Sequence, residues 1–137
     1  MSGNTLRLAP QLALPVDVAG EAIAILAKRG AGKSNTAKVI VEEILDTQLV
    51  QVVVLDPVGH WWSLRAGANG KPGGGYDVAV FGGPHGDLPL EPTAGKVLAE
   101  TAVESGQSII LDVSGLDSDG AMQRFAYEFA ERLYTLK

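Results

Sequence analysis

Cysteine is missing from all 137 residues. That excludes disulfides and cysteine-ligated zinc, and it makes a cytoplasmic setting the default expectation. Long apolar runs are missing too. No stretch approaches the roughly 20 residues of a membrane-spanning helix, and no basic-then-apolar leader opens the sequence, so no membrane partner is expected. Positive charge is scarce: 11 Lys and Arg stand against 16 Asp and Glu, a formal net charge of -5. A free-standing duplex-DNA binder carries a basic surface, whereas here only Lys28, Arg29 and Lys33 cluster. The chain alone is not expected to hold nucleic acid tightly, although a ring that gathers a few basic loops into a pore is compatible with this charge.

What remains is rich in apolar residues, at 46%. That suffices for the core of one domain. Residues 1–20 read as a lead-in edge ribbon, in which Leu6 and Leu8, then Leu12 and Leu14, alternate in strand fashion and Pro10 and Pro15 break the runs. Residues 21–137 read as the domain itself. "AIAIL", Ala22 to Leu26, has the composition of a strand buried on both faces. From Lys33 the period changes: Ala37, Ile40, Val41, Ile44 and Leu45 predict a helix ending near Asp46 or Thr47.

Further strands are predicted over Leu49–Asp56, Tyr76–Phe81 and Ser108–Val113. A helix is predicted between the last two, with Thr93 as N-cap and Gly106 just past its end. A final helix starts near Ser118, carries Met122, Phe125, Ala126, Phe129 and Leu133 on one face, and runs to the end of the chain. Between Gly59 and Gly75, seven residues are glycine or proline, and the last part of that loop is expected to be mobile. Alternating strands and helices predict a parallel sheet with helices packed on its faces.

The chemistry begins at "AKRGAGKSN", Ala27 to Asn35, set between the first strand and the first helix. A glycine-bearing turn lets backbone N–H groups converge on phosphate oxygens, and the following helix adds the positive end of its dipole. The amides from Arg29 through Gly30, Ala31, Gly32, Lys33 and Ser34 are the expected donors, with Asn35 beside them. Lys33 is expected to reach the β- and γ-phosphates and to be the catalytic lysine, and the Ser34 hydroxyl to bind magnesium. The usual first glycine of this pattern is Ala27 here. That position ends a strand and need only be small.

Hydrolysis also needs a strand-end aspartate near the magnesium and a base or water-positioning group. Asp56, followed by proline, and Asp112, followed by valine, stand at strand ends, where parallel sheets present ligands. Each is a candidate magnesium ligand, and each equally suits an ordinary aspartate that bonds loop amides. Neither is followed by glutamate. Glu42 and Glu43 read as the solvated face of the first helix. Trp61 and Trp62 suit a core edge or subunit contact better than a base-stacking platform. His85 reads as a solvated loop residue rather than one facing the nucleotide.

"ILAKRGAGKSNTAKVIVEEIL" with "VVVLDPVGHWWSLR" resembles the HerA/FtsK branch of P-loop ATPases, in particular HerA-like ATP-binding proteins. "VFGGPHGDLPL" and "SIILDVSGLDSDGAMQRFAYEFAERLY" resemble the segments that follow, so the likeness runs from about Leu12 to Lys137. It implies a RecA-like three-layer sandwich around a mostly parallel sheet, ATP and Mg2+ as ligands, and a homo-oligomer, often a ring of six, that moves along DNA in the full-length assembly. In such proteins an Asp-Glu strand lies beyond the segment matching Gln123 to Tyr134. The chain therefore resembles the front half of an ATPase domain, an incomplete core with weak or absent hydrolysis and a tendency to self-associate or rearrange its sheet. Two rival expectations stand beside this one. One is an assembly or switch module that binds nucleotide without turnover. The other is a small-molecule kinase, which the absence of an arginine-rich lid disfavours.

Overall fold

The computed structural model describes residues 4–71 and 73–136. The first three residues of the lead-in, Pro72 of the glycine-rich loop and Lys137, to which the final helix is predicted to run, lie outside the described residues. The chain divides into two units, Met1–Val52 and Val53–Lys137.

In the first unit, strand β1 (Thr5–Ala9) pairs antiparallel with β2 (Leu12–Pro15), with Leu6 opposite Leu14 and Arg7 opposite Ala13. A 3-10 turn over Val16–Gly20 follows. Helix α1 (Lys33–Thr47) ends where its apolar period stops, at Gln48 in the left-handed conformation. β1 packs against α1, and Leu6 on that strand is fully buried. The Glu43 carboxylate accepts the backbone N–H of Arg7 at 2.7 Å. Glu43 thus fastens helix to hairpin instead of lying on a purely solvated face.

The predicted strand over Ala22–Leu26 does not form. That stretch belongs to no regular element, and Leu26 is 90% exposed. A strand is defined by its neighbours as much as by its composition. Among the described residues nothing pairs with this segment, so its backbone groups have no ladder to join.

The second unit is a three-stranded parallel sheet with two helices. Strands β3 (Val53–Asp56), β4 (Ala79–Phe81) and β5 (Ile109–Asp112) lie in the order β3-β5-β4. β3 and β4 occupy the carboxyl halves of their predicted segments, and β5 falls one residue short of its predicted segment at each end. Helices α2 (Gly95–Ser105) and α3 (Asp119–Thr135) pack on each other and on the sheet. Leu98, Ala99 and Ala102 of α2 meet Phe125 and Phe129 of α3 over Ile109 and Leu111. All four residues of β5 are buried, as the central position requires. Each large apolar side chain removed from water here contributes about 1.5–3 kcal/mol.

The helix ends show which local rules held. Ser118 caps α3, its hydroxyl oxygen accepting from the Ala121 amide at 3.1 Å. Thr93 does not cap α2. The Ala94 amide donates to the Glu91 carbonyl, and that turn moves the helix start to Gly95 with no side-chain cap. The glycine-rich loop is tied at its base, with the amides of Gly75 and Tyr76 donating to the carbonyls of Arg65 and Leu64.

Register then decides what gathers at the carboxyl edge of this sheet. Asp56 pairs with Asp112 and Phe81 with Leu111, so the loops after all three strands start side by side.

Candidate functional site

In the first unit, the segment before α1 is a tight turn. Gly30 and Gly32 adopt positive φ angles of 81° and 95°, a backbone region that L-residues with side chains resist. The Ala31 amide donates to the Lys28 carbonyl, and the Thr36 amide and hydroxyl both donate to the Gly32 carbonyl. These bonds turn the chain from Ala27 directly into the helix. Lys33, the first helical residue, folds back over the turn. Its Nζ donates to the carbonyls of Ala27 at 3.0 Å and Lys28 at 3.4 Å.

The amino end of α1 differs from that of α3. α3 carries a serine cap and an acid, Asp119, in its first turn. α1 carries neither: no side chain caps it, and no acid occupies its first turn. The first N–H groups of a helix have no intrahelical acceptors, and the helix dipole makes that end attractive to anions. Gly32, Lys33, Ser34 and Asn35 stand at this uncapped end, next to the cations Lys28 and Arg29. The donor set fits a polyphosphate: backbone amides at a glycine turn, one ammonium and one hydroxyl.

The second unit brings the two strand-end aspartates together at one sheet edge but gives them different surroundings. Asp56 is 1% exposed. Its Oδ1 accepts the amides of Val58 at 3.1 Å and Gly59 at 2.8 Å, and its Oδ2 accepts that of Trp61 at 2.8 Å. Three of the roughly four lone-pair directions of a carboxylate are thus filled by the loop after β3. Asp112 is 2% exposed. Ser114 donates to its Oδ1 twice, from the amide at 3.0 Å and the hydroxyl at 2.5 Å. Its Oδ2 is buried without a hydrogen-bond partner.

Around this edge the loops interlock. The Trp62 and His85 rings stack with centroids 3.7 Å apart and planes 13° apart. Arg65 forms an ion pair with Asp87, and its Nη2 donates to the His85 carbonyl at 2.7 Å. Asp87 also accepts the Val80 amide at 3.0 Å. That bond holds its carboxyl below the usual carboxylate range against the opposing effect of burial, and the Arg65 guanidinium adds to the lowering. His85 is therefore a stacking partner of Trp62, and Trp62 faces a neighbouring loop. Nothing in the sequence marks Arg65 and Asp87 as a pair. They are 22 positions apart, and no local pattern joins them.

Among the described residues, no group of three or more His, Asp or Glu side chains gathers to hold a metal. No helix among them is long and apolar enough to cross a membrane.

Comparison with known proteins gives this geometry a family. The model described as "Helicase HerA, central domain" matches residues 9–93. That span holds the glycine turn, Asp56 and the interlocked loops, and leaves Asp112 outside. The DNA double-strand break repair helicase HerA of Pyrococcus furiosus is 42% identical over 65 residues, covering 45% of this chain and 12% of that protein. No solved structure matches. With more than half of its length matched, the chain belongs to the helicase HerA central-domain family.

Proposed function

We propose that this chain supplies the ATP-binding part of a HerA-like motor ATPase, with residues 21–137 belonging to a RecA-like P-loop domain. The observation that carries the reading is the uncapped amino end of α1, preceded by two positive-φ glycines and overlain by the Lys33 ammonium. Arg29 to Asn35 would hold the phosphate chain, with Lys33 on the β- and γ-phosphates. Ser34 would hold magnesium. Mg2+ keeps several waters and takes much of its remaining shell from substrate phosphates, so a single protein hydroxyl suits it there. Magnesium supplies charge neutralisation on the phosphates, and the chain supplies orientation.

In the second unit we assign Asp56 to fixing the loop after β3, because loop amides take up its oxygens. Asp112 keeps one acceptor oxygen free, and we assign it to a hydrated divalent cation. The family implies a homo-oligomer that works on DNA. Within these residues no strand-end Asp-Glu pair supplies a base, so turnover by this chain is expected to be slow. A module that binds nucleotide without hydrolysing it is the second reading, favoured by that same observation.

A phosphate-length series tests the reading. ATP and ADP should bind with magnesium, and AMP should bind far more weakly, because the Lys33 contact is to phosphates that AMP lacks. Equal affinity for AMP and ATP in a calorimetric titration would remove the phosphate cradle from the account.

A further inference from the structure

We propose that the Gly82–Gly83 turn is a removable cover over the Asp112 carboxylate, latched by Arg65 and by the stack of His85 on Trp62. The inference rests on the assignment of Asp112 to a hydrated cation and names what controls access to it.

The cover is seen in how closely backbone meets carboxylate. Ser114 holds Oδ1 from two sides, which fixes the carboxylate plane. Oδ2 is then turned toward two glycines. A Cβ on Gly83 would lie 2.0 Å from it, and one on Gly59 would lie 3.3 Å away. Only a residue without a side chain fits at position 83, and it brings no hydrogen-bond donor to the oxygen it covers. A buried acceptor left unpaired opposes the closed arrangement, because water would satisfy it once the turn lifts.

Something must offset that cost, and the described contacts supply it. The feet of the loop are tied to its own strand: the Gly82 amide donates to the Leu88 carbonyl at 2.8 Å, and the Asp87 amide to the Val80 carbonyl at 2.7 Å. Within the tip the Gly86 amide donates to the Gly83 carbonyl at 3.4 Å; the other described contacts of the tip run sideways, to the loop after β3, through Arg65 on the His85 carbonyl and on Asp87, and through Trp62 on the His85 ring. These contacts lie at the surface, where ion pairs are weak. A weak latch set against an unpaired buried oxygen makes a two-state element whose open form is a minor state that loss of the latch would populate. A ligand that needs Oδ2 then binds with an affinity reduced by the closed fraction.

Carboxyl footprinting tests this on the whole chain. Carbodiimide-driven coupling of glycine ethyl ester, read by peptide mass spectrometry, reports how fast each aspartate is reached. Asp56, equally buried and held by loop amides, is the internal reference. In the parent chain Asp112 should label as slowly as Asp56. In His85→Ala, and separately in Trp62→Leu, Asp112 labelling should rise roughly threefold to tenfold, the worth of one aromatic stack, while Asp56 stays slow. Unchanged Asp112 labelling in both variants overturns the cover. Asp56 rising in step with Asp112 in both also overturns it, since the opening is then global. Millimolar magnesium should protect Asp112 in the His85→Ala chain. Faster labelling that magnesium does not suppress supports the cover and removes the cation assignment.

Discussion

The Lys33 ammonium lies 3.0 Å from the carbonyl oxygen of Ala27, six residues earlier, and so closes the turn from which it projects. A charged donor held by neutral carbonyls is poised for exchange. Phosphate oxygens are better acceptors for an ammonium than amide carbonyls, because the bond becomes charge-assisted on both sides. The turn is therefore shaped before any anion arrives, and shaping it in advance lowers the ordering cost of binding.

Ser34 follows Lys33 at the uncapped amino end of α1. If its hydroxyl ligates magnesium, Ser34→Ala should keep magnesium-free nucleotide binding and lose most of the gain that magnesium brings. Titrations of ADP with magnesium and with a chelator, on both chains, measure that gain. An undiminished magnesium effect in the variant would remove Ser34 from the metal site.

Gly32 precedes the helix with φ at 95°. Gly32→Ala places a Cβ in a left-handed conformation, which costs roughly 1–2 kcal/mol. The space around it is open, so backbone strain is the whole effect. Chemical denaturation should show that loss, and ADP affinity should fall with it as the turn relaxes. Unaltered stability and affinity would mean that the turn does not need its present shape.

Asp87 predicts a pH dependence. Its carboxyl is held below its ordinary value of 3.8, first by the Val80 amide and then by Arg65. A carboxyl lowered in the folded state contributes stability that is complete above 3.8 and is lost as pH falls through the depressed value. The parent chain should therefore melt higher than Asp87→Asn at pH 6, and the gap should close as pH falls below 3.8. Thermal melts of both chains across that range measure it. A gap that stays constant down to pH 2 would mean that the ion pair and the amide bond do not distinguish the charged form.

What could be read in the sequence was mostly local. α1 stops at Thr47 and α3 starts after Ser118 because apolar period and capping act within a few residues. The glycine-lysine-serine turn was legible for the same reason. Asp56 and Asp112 were visible as strand ends, yet Pro57 and Val113 after them say nothing about which carboxylate the loop amides will fill. The misses are non-local. Ala22–Leu26 looks like a strand, but composition cannot provide its neighbours. The bond from Arg7 to Glu43 joins residues 36 apart, and the Trp62–His85 stack joins two loops that only the sheet brings together. Thr93 looked like a cap because it is the right residue type, and the turn from Glu91 to Ala94 displaced the start.

The most direct measurement is calorimetric titration of magnesium-ADP into the parent chain and into Lys33→Ala. Hydrogen bonds to charged groups are worth about 1.5–3 kcal/mol. The variant should therefore bind roughly tenfold to more than a hundredfold more weakly, while circular dichroism shows the same helix content. Equal affinity in the two chains would contradict the assignment of residues 29–35 as the phosphate-binding turn.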